Sequence, residues 1–296
     1  MNQPLSKSIQ RVGVVGAGTM GRGIAHTLLR YGYSVLLADA SAPILARATE
    51  SISAGLARDV EKGRMTEEAR KQAECRLETS AEIEGMGATG LVIEAVTERF
   101  DVKAGLLRKL DGFCPPALIF ATNTSSISVT RLAAVTGRPG QFVGLHFFNP
   151  VPVMKLVEIV AGVETLPETV QTASQVASSL GKTPIRVNDY PGFISNRVLM
   201  PMINEAIYAV MEGVAEPQAV DDVMKLGMNH PMGPLELADL IGLDVCLEVM
   251  NVLHEGFHDS KYRPCPLLEK MVYAGRLGRK SGRGFYNYGQ AAIKNY

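Results

Sequence analysis

Five short runs of almost unbroken apolar residues stand out in the first half of the chain. They are RVGVVG (Arg11–Gly16), SVLLAD (Ser34–Asp39), LVIEAV (Leu91–Val96), LIFAT (Leu118–Thr122) and FVGLHF (Phe142–Phe147). Runs of this length, rich in β-branched residues, predict strands buried on both faces. Longer segments with helical spacing lie between them, among them Pro43–Lys62 and Phe100–Gly112. Strand–helix alternation of this kind predicts a parallel sheet covered by helices. Val153–Val160 and Pro184–Val187 would extend that sheet beyond a proline-rich break, Asn149-Pro150-Val151-Pro152. After Asp189-Tyr190-Pro191-Gly192 the pattern changes. Val198, Leu199, Met202, Ile203, Ala206, Ile207, Val210 and Met211 form one broad apolar stripe at helical spacing. Ala219–Leu226, Leu235–Leu240 and Asp244–His254 also read as helices, separated by breaks such as HPMGP (His230–Pro234). The expected organisation is an α/β domain over 1–188 and an all-helical domain over 189–296. Helices this apolar either pack on one another or bury a face against a second subunit.

Composition narrows the function classes. The chain has 296 residues with 30 basic and 30 acidic side chains, so no overall field favours nucleic acid or an anionic membrane. No run reaches the ~18 apolar residues that span a bilayer, and MNQPLSKSIQRV lacks the apolar core of a signal peptide. Cys75, Cys114, Cys246 and Cys265 are scattered without a CxxC, which suits a reducing cytoplasm better than a disulfide framework or a zinc site.

GAGTMG (Gly16–Gly21) matches GxGxxG, follows the first strand and opens the helical pattern Met20–Leu29. In this motif Gly16 makes the tight turn, Gly18 admits a pyrophosphate to the backbone, and Gly21 lets helix and strand approach. The phosphates would lie on free N–H groups at the helix N-terminus. The second strand ends in Asp39, where the motif requires an acid. A carboxylate there accepts from both ribose hydroxyls and repels a 2′-phosphate, which favours NAD over NADP. FAD shares the fingerprint. The α/β domain is therefore expected to be a Rossmann-type doubly wound sheet with a nucleotide on the loop Gly16, Ala17, Gly18, Thr19, Met20 and Gly21.

His146 ends a sheet strand, the end where open α/β sheets bind ligands. It is either an ordinary core histidine or, if the proline break is a turn, the neighbour of Glu158 on the returning strand. A carboxylate on one ring nitrogen fixes the tautomer and leaves the other nitrogen to take a proton. TNTSS (Thr122–Ser126) follows another strand end, where its hydroxyls could bind ligand oxygens; Ser125 or Ser126 could instead cap a helix over Ile127–Ala134. HEGFH (His254–His258) reads literally as HExxH, a zinc-protease motif. Gly256 and the end of the helical run at His254 weigh against it, and no metal is expected.

With these segments and YPGFISNR (Tyr190–Arg197) assembled, the chain resembles the L-3-hydroxyacyl-CoA dehydrogenase family, in its bacterial 3-hydroxybutyryl-CoA type, from about Gln10 to Tyr288. HFFNPVPVMKLVE is the most distinctive shared segment. The resemblance implies His146 as general base, Glu158 as its orienting carboxylate, Ser125 on the substrate's 3-oxygen and Asn196 on the acyl thioester. For NAD it implies the glycine loop, Asp39, Glu98, Lys103, Ser125, Asn149 and Lys280; without it, Lys280 reads as a solvated charge. For the acyl-CoA substrate it implies a helical hairpin over about 42–75 with Lys62, although a serine used there by some members is Gly55 here. It further implies a homodimer through the helical domain. A related β-hydroxyacid dehydrogenase acting on a free acid or sugar acid is the alternative.

Overall fold

The computed structural model describes residues 9–289. The chain divides into two compact units on either side of the Tyr190–Pro191 bond. The division falls two residues after the expected boundary, because Asp189 still bonds back into the first unit through Val129 N and Thr130 N.

In the first unit the elements run β1 (Arg11–Val15), α1 (Thr19–Arg30), β2 (Ser34–Ala38), α2 (Ala42–Glu61), α3 (Glu67–Cys75) and β3 (Leu77–Ser80). They continue with β4 (Leu91–Glu94), α4 (Phe100–Asp111), β5 (Ile119–Thr122), α5 (Val129–Ala133), β6 (Phe142–Phe147), β7 (Leu156–Ala161), α6 (Pro167–Ser179) and β8 (Thr183–Asn188). The sheet order is β3-β2-β1-β4-β5-β6-β7-β8. Strands β1 to β6 are parallel; β7 runs against β6, and β8 follows β7 in parallel. From β1 the chain winds outward through β2 and β3, then returns to β4 on β1's other side. That reversal makes the C-terminal end of β1 a switch point, where such sheets hold ligands.

The central strands owe their place to side chains apolar on both faces: the adjacent pairs Val14 and Val15, Val92 and Ile93, Phe120 and Ala121, and Phe142 and Val143 are each almost fully buried. β3 was not expected, because LETS is polar and half-exposed, the composition of a sheet edge. β7 begins at Leu156 and not Val153, since Pro150 to Met154 form the turn. The helical hairpin over 42–75 is present as α2 and α3. α5 is capped by Ser128, whose Oγ accepts from Arg131 N, and not by Ser125 or Ser126.

The second unit comprises α7 (Ser195–Met211), α8 (Pro217–Asp222), α9 (Pro234–Ile241), α10 (Leu243–Phe257) and α11 (Pro266–Tyr273). Its core joins Ile203 and Ile207 of α7 to Leu235, Cys246, Met250, Leu253 and Leu268. Two buried carboxylates order its loops. Asp221 accepts from Leu235 N and Glu236 N at the start of α9, while Asp239 accepts from Phe285 N, Tyr286 N and the Tyr288 hydroxyl. α10 passes through Gly256 to Phe257, beyond the expected end at His254. Among the described residues no helix is long and apolar enough to cross a membrane.

Candidate active site

The glycine loop joins β1 to α1 at the switch point. Gly16 has φ +100°, a left-handed conformation that side chains resist. A Cβ on Gly21 would come within 1.7 Å of Gly16 O, so helix and loop require glycine there. Gly18 behaves differently: a Cβ there would meet nothing within 4 Å. Its open face lies at the N-terminus of α1, which no side chain caps. Uncapped first-turn N–H groups, the positive end of the helix dipole and an unobstructed approach suit a pyrophosphate. Asp39 is already engaged: Oδ2 accepts from Ala17 N at 2.9 Å, and Oδ1 from Ser41 N at 2.9 Å. The acid thus ties the glycine loop to the end of β2.

Beyond β4 lies a buried ionic cluster that sequence reasoning saw only in part. Lys103, 1% exposed, donates to both carboxylate oxygens of Glu94, at 2.8 and 3.0 Å, and pairs with Glu98 at 3.2 Å. Glu94 also accepts from Thr122 Oγ1 at 2.6 Å and Val96 N at 2.7 Å. Burial raises the Glu94 pKa despite Lys103. Burial pushes Glu98 the same way, but Lys103 and the bonds from Thr124 and Ser125 outweigh it, and its carboxyl ends below the usual range. Glu98 Oε1 collects Thr124 Oγ1, Ser125 N, Ser126 N and both serine hydroxyls. Glu98 and Lys103 therefore set the conformation of TNTSS, with Lys103 beneath the loop. Glu94 was missed; its one signal is an acid inside the apolar run LVIEAV. Asn123 was missed as well: its Oδ1 accepts from Phe147 N at 3.0 Å, binding this loop to the end of β6.

His146 and Glu158 face each other across the antiparallel β6–β7 ladder, in register. His146 Nδ1 lies 2.7 Å from Glu158 Oε2, with the residues 7% and 1% exposed. The Phe148 ring leans on the imidazole with centroids 4.5 Å apart. Asn149, exposed, opens the turn with a cis bond to Pro150. Beside it a cleft of about 160 Å³ is lined by Thr19, Arg22, His26, Arg58, Asn149 and Val151, among others. Neither Arg22 nor Arg58 forms an ion pair among the described residues. Lys62, exposed at the C-cap of α2, does not line this cleft. Gly55 faces His26: a Cβ there would meet the ring at 2.8 Å. That ring is pinned by Asp59, 3.0 Å from Nε2.

In the second unit, Asn196 lies in the first turn of α7. Lys280 is not a loose charge; its Nζ pairs with Asp244 in the first turn of α10, 2.6 Å from Oδ2. HEGFH does not present two imidazoles on one helix face, because His258 leaves α10 in the left-handed region at φ 53°. Among the described residues no group of three or more His, Cys, Asp or Glu side chains is arranged to hold a metal.

Comparison with known proteins identifies the family. A family model for the 3-hydroxyacyl-CoA dehydrogenase NAD-binding domain matches residues 11–190, and one for the C-terminal domain matches 192–288. A probable 3-hydroxybutyryl-CoA dehydrogenase of Bacillus subtilis is 54% identical over 280 residues, covering 95% of this chain and 98% of that protein. Its Deinococcus radiodurans counterpart is 51% identical over 278 residues, 94% of this chain and 100% of the other. The crystal structure of (S)-3-hydroxybutyryl-CoA dehydrogenase from Ralstonia eutropha superposes with a TM-score of 0.93 at 48% identity, covering 96% of this chain and 100% of that one.

Proposed function

Since the chain belongs to the 3-hydroxyacyl-CoA dehydrogenase family and is an NAD-dependent oxidoreductase, we propose that it interconverts (S)-3-hydroxyacyl-CoA and 3-oxoacyl-CoA, with short acyl chains such as 3-hydroxybutyryl preferred. The observation that carries the chemistry is the buried 2.7 Å contact between His146 Nδ1 and Glu158. With Nδ1 held by a carboxylate, Nε2 is the nitrogen that exchanges a proton with the substrate's 3-oxygen. Glu158 stabilises the imidazolium formed when the hydroxyl gives up its proton. Bound NAD supplies the partner for the hydride at C3.

The glycine loop and Asp39 hold the nucleotide. The loop ordered by Glu98 and Lys103 presents Ser125 to the 3-oxygen. Asn149 and Lys280 complete the cofactor contacts, and Asn196 orients the thioester. Arg22 of α1 and Arg58 of α2, with Lys62 at the end of α2, offer cations to the CoA phosphates. The second unit forms a homodimer interface, a reading supported by the exposed Val198, Val214, Leu226, Met228 and Tyr273. The four cysteines, all free, support a reducing cytoplasm.

Turnover of acetoacetyl-CoA with NADH tests the reading. Activity is expected with the thioester and not with free acetoacetate, and His146→Gln should abolish it. Equal rates on the free acid would refute the acyl-CoA assignment, and a series of longer 3-oxoacyl-CoAs would fix the chain length.

A further inference from the structure

The turn between His146 and Glu158 is held from three sides. Within it, Val153 N and Met154 N both donate to Pro150 O, at 2.9 and 3.0 Å. On one flank Val151, 2% exposed, rests on α1 where Gly23 leaves room; a Cβ there would stand 3.1 Å from the valine. The third support is Lys182, just before β8. Its Nζ donates to Val151 O and, at 2.7 Å, to Met154 O.

Lys182 is 8% exposed and forms no ion pair among the described residues. The adjoining elements carry Arg22, His26 and Arg30 on α1, Glu158 on β7, Glu168 on α6 and Arg186 on β8, with Tyr31, Tyr33 and Lys155 just outside them. Of these, Arg30 is the charge that bears on it. Burial, reinforced by Arg30, lowers the Lys182 pKa to about 8. An ammonium buried without a carboxylate is unfavourable, and a methionine would fill the same space. What the lysine gains is a pair of charge-assisted bonds, both to the same turn.

We propose that Lys182 is a positioning residue for the cofactor site: it fixes the Asn149–Met154 turn and thereby aims Asn149 at the nicotinamide nucleotide. It touches no reacting group. The His146–Glu158 pairing is set by the β6–β7 ladder and does not depend on it. The inference rests on the reading of Asn149 as a cofactor contact.

The test compares wild type, Lys182→Met, Lys182→Arg and Asn149→Ala, titrating NADH by fluorescence and measuring acetoacetyl-CoA reduction, across a pH range that brackets 8. Lys182→Met is expected to weaken NADH binding and raise its KM about tenfold, the effect of losing one well-placed hydrogen bond, with kcat within about twofold. Wild-type NADH affinity should decline as pH rises through about 8, where the ammonium becomes an amine, and neither Lys182 variant should show that inflection. Unchanged NADH affinity in Lys182→Met, or a fall confined to kcat, overturns the proposal. If Lys182→Met does not fold, the wild-type and Lys182→Arg pH curves decide alone, and a wild-type curve flat through pH 8 overturns it. Asn149→Ala that binds NADH normally would instead overturn the reading of Asn149. A wild type that binds NADH but reduces no thioester counts against the proposed reaction, while the titrations still test Lys182.

Discussion

Replacing Glu158 by glutamine changes one oxygen for an amide nitrogen of the same size. The two residues sit opposite each other in the β6–β7 register and are buried, so the ladder should hold and the imidazole keep its place. What disappears is a negative charge 2.7 Å from Nδ1. Two unit charges about 4 Å apart at an effective dielectric near 20 interact by about 4 kcal/mol. The amide oxygen can still accept from Nδ1–H and retains about 1 kcal/mol of that. The remaining ~3 kcal/mol falls on the imidazolium, which forms only as the proton moves, so it appears in the barrier. At ~1.4 kcal/mol per decade, kcat should drop about a hundredfold, with NADH affinity unchanged. The assay is stopped-flow formation of NADH from NAD with saturating 3-hydroxybutyryl-CoA, the direction in which the imidazolium forms, accompanied by NADH titration and a denaturant melt. A Glu158→Gln protein that folds normally and keeps kcat within about threefold of wild type would show that the buried pair is structural.

Three further outcomes follow from the same physics. Glu98→Gln removes the ion pair with Lys103 and weakens the acceptor shared by Thr124, Ser125 and Ser126; urea melts should show a loss of about 1–2 kcal/mol, with a severalfold rise in KM for NADH. Gly55→Ser should destabilise by about 1 kcal/mol, the balance of overpacking against the His26 ring and relief of a helical glycine. His26→Ala should remove that penalty, so the two changes are non-additive in a double-mutant cycle. Burial lowers the His26 pKa below its ordinary value near 6.5 even though Asp59 opposes it. The unfolded chain therefore takes up the proton first on acidification, and stability present above pH 6.5 is lost as pH falls toward the folded value. Melting temperatures measured down that range should fall less steeply in His26→Gln than in wild type.

Much of the first unit was legible because its strands are short apolar runs and its loops carry glycine or proline. The in-register pairing of His146 and Glu158 follows from two strands joined by a turn, and the sequence contains both. Other features depend on partners far along the chain. LETS gives no sign of being a strand until β2 offers it an edge. Lys182 looks like a surface lysine until β8 places it beneath a turn some thirty residues earlier. Gly256 reads as a helix breaker, yet α10 continues through it; a Cβ there would stand 2.6 Å from Pro191, so its reason is close packing and not a stop. Lys103 was expected to be a cofactor contact, and its burial among Glu94, Glu98 and Val96 O came from the fold alone. Lys280 reads as a solvated charge, and only α10 reveals Asp244 as its partner.

The twofold engagement of Asp39 bears on any attempt to redesign cofactor preference. The obvious exchange, a neutral or basic residue to welcome a 2′-phosphate, would also strip the acceptors from Ala17 N and Ser41 N. Under the proposed role of Asp39, one edit would thus alter selectivity and slacken the glycine loop together. Asparagine, which keeps one carbonyl oxygen, is the gentler first step, and a compensating acceptor near Ala17 belongs in the same library.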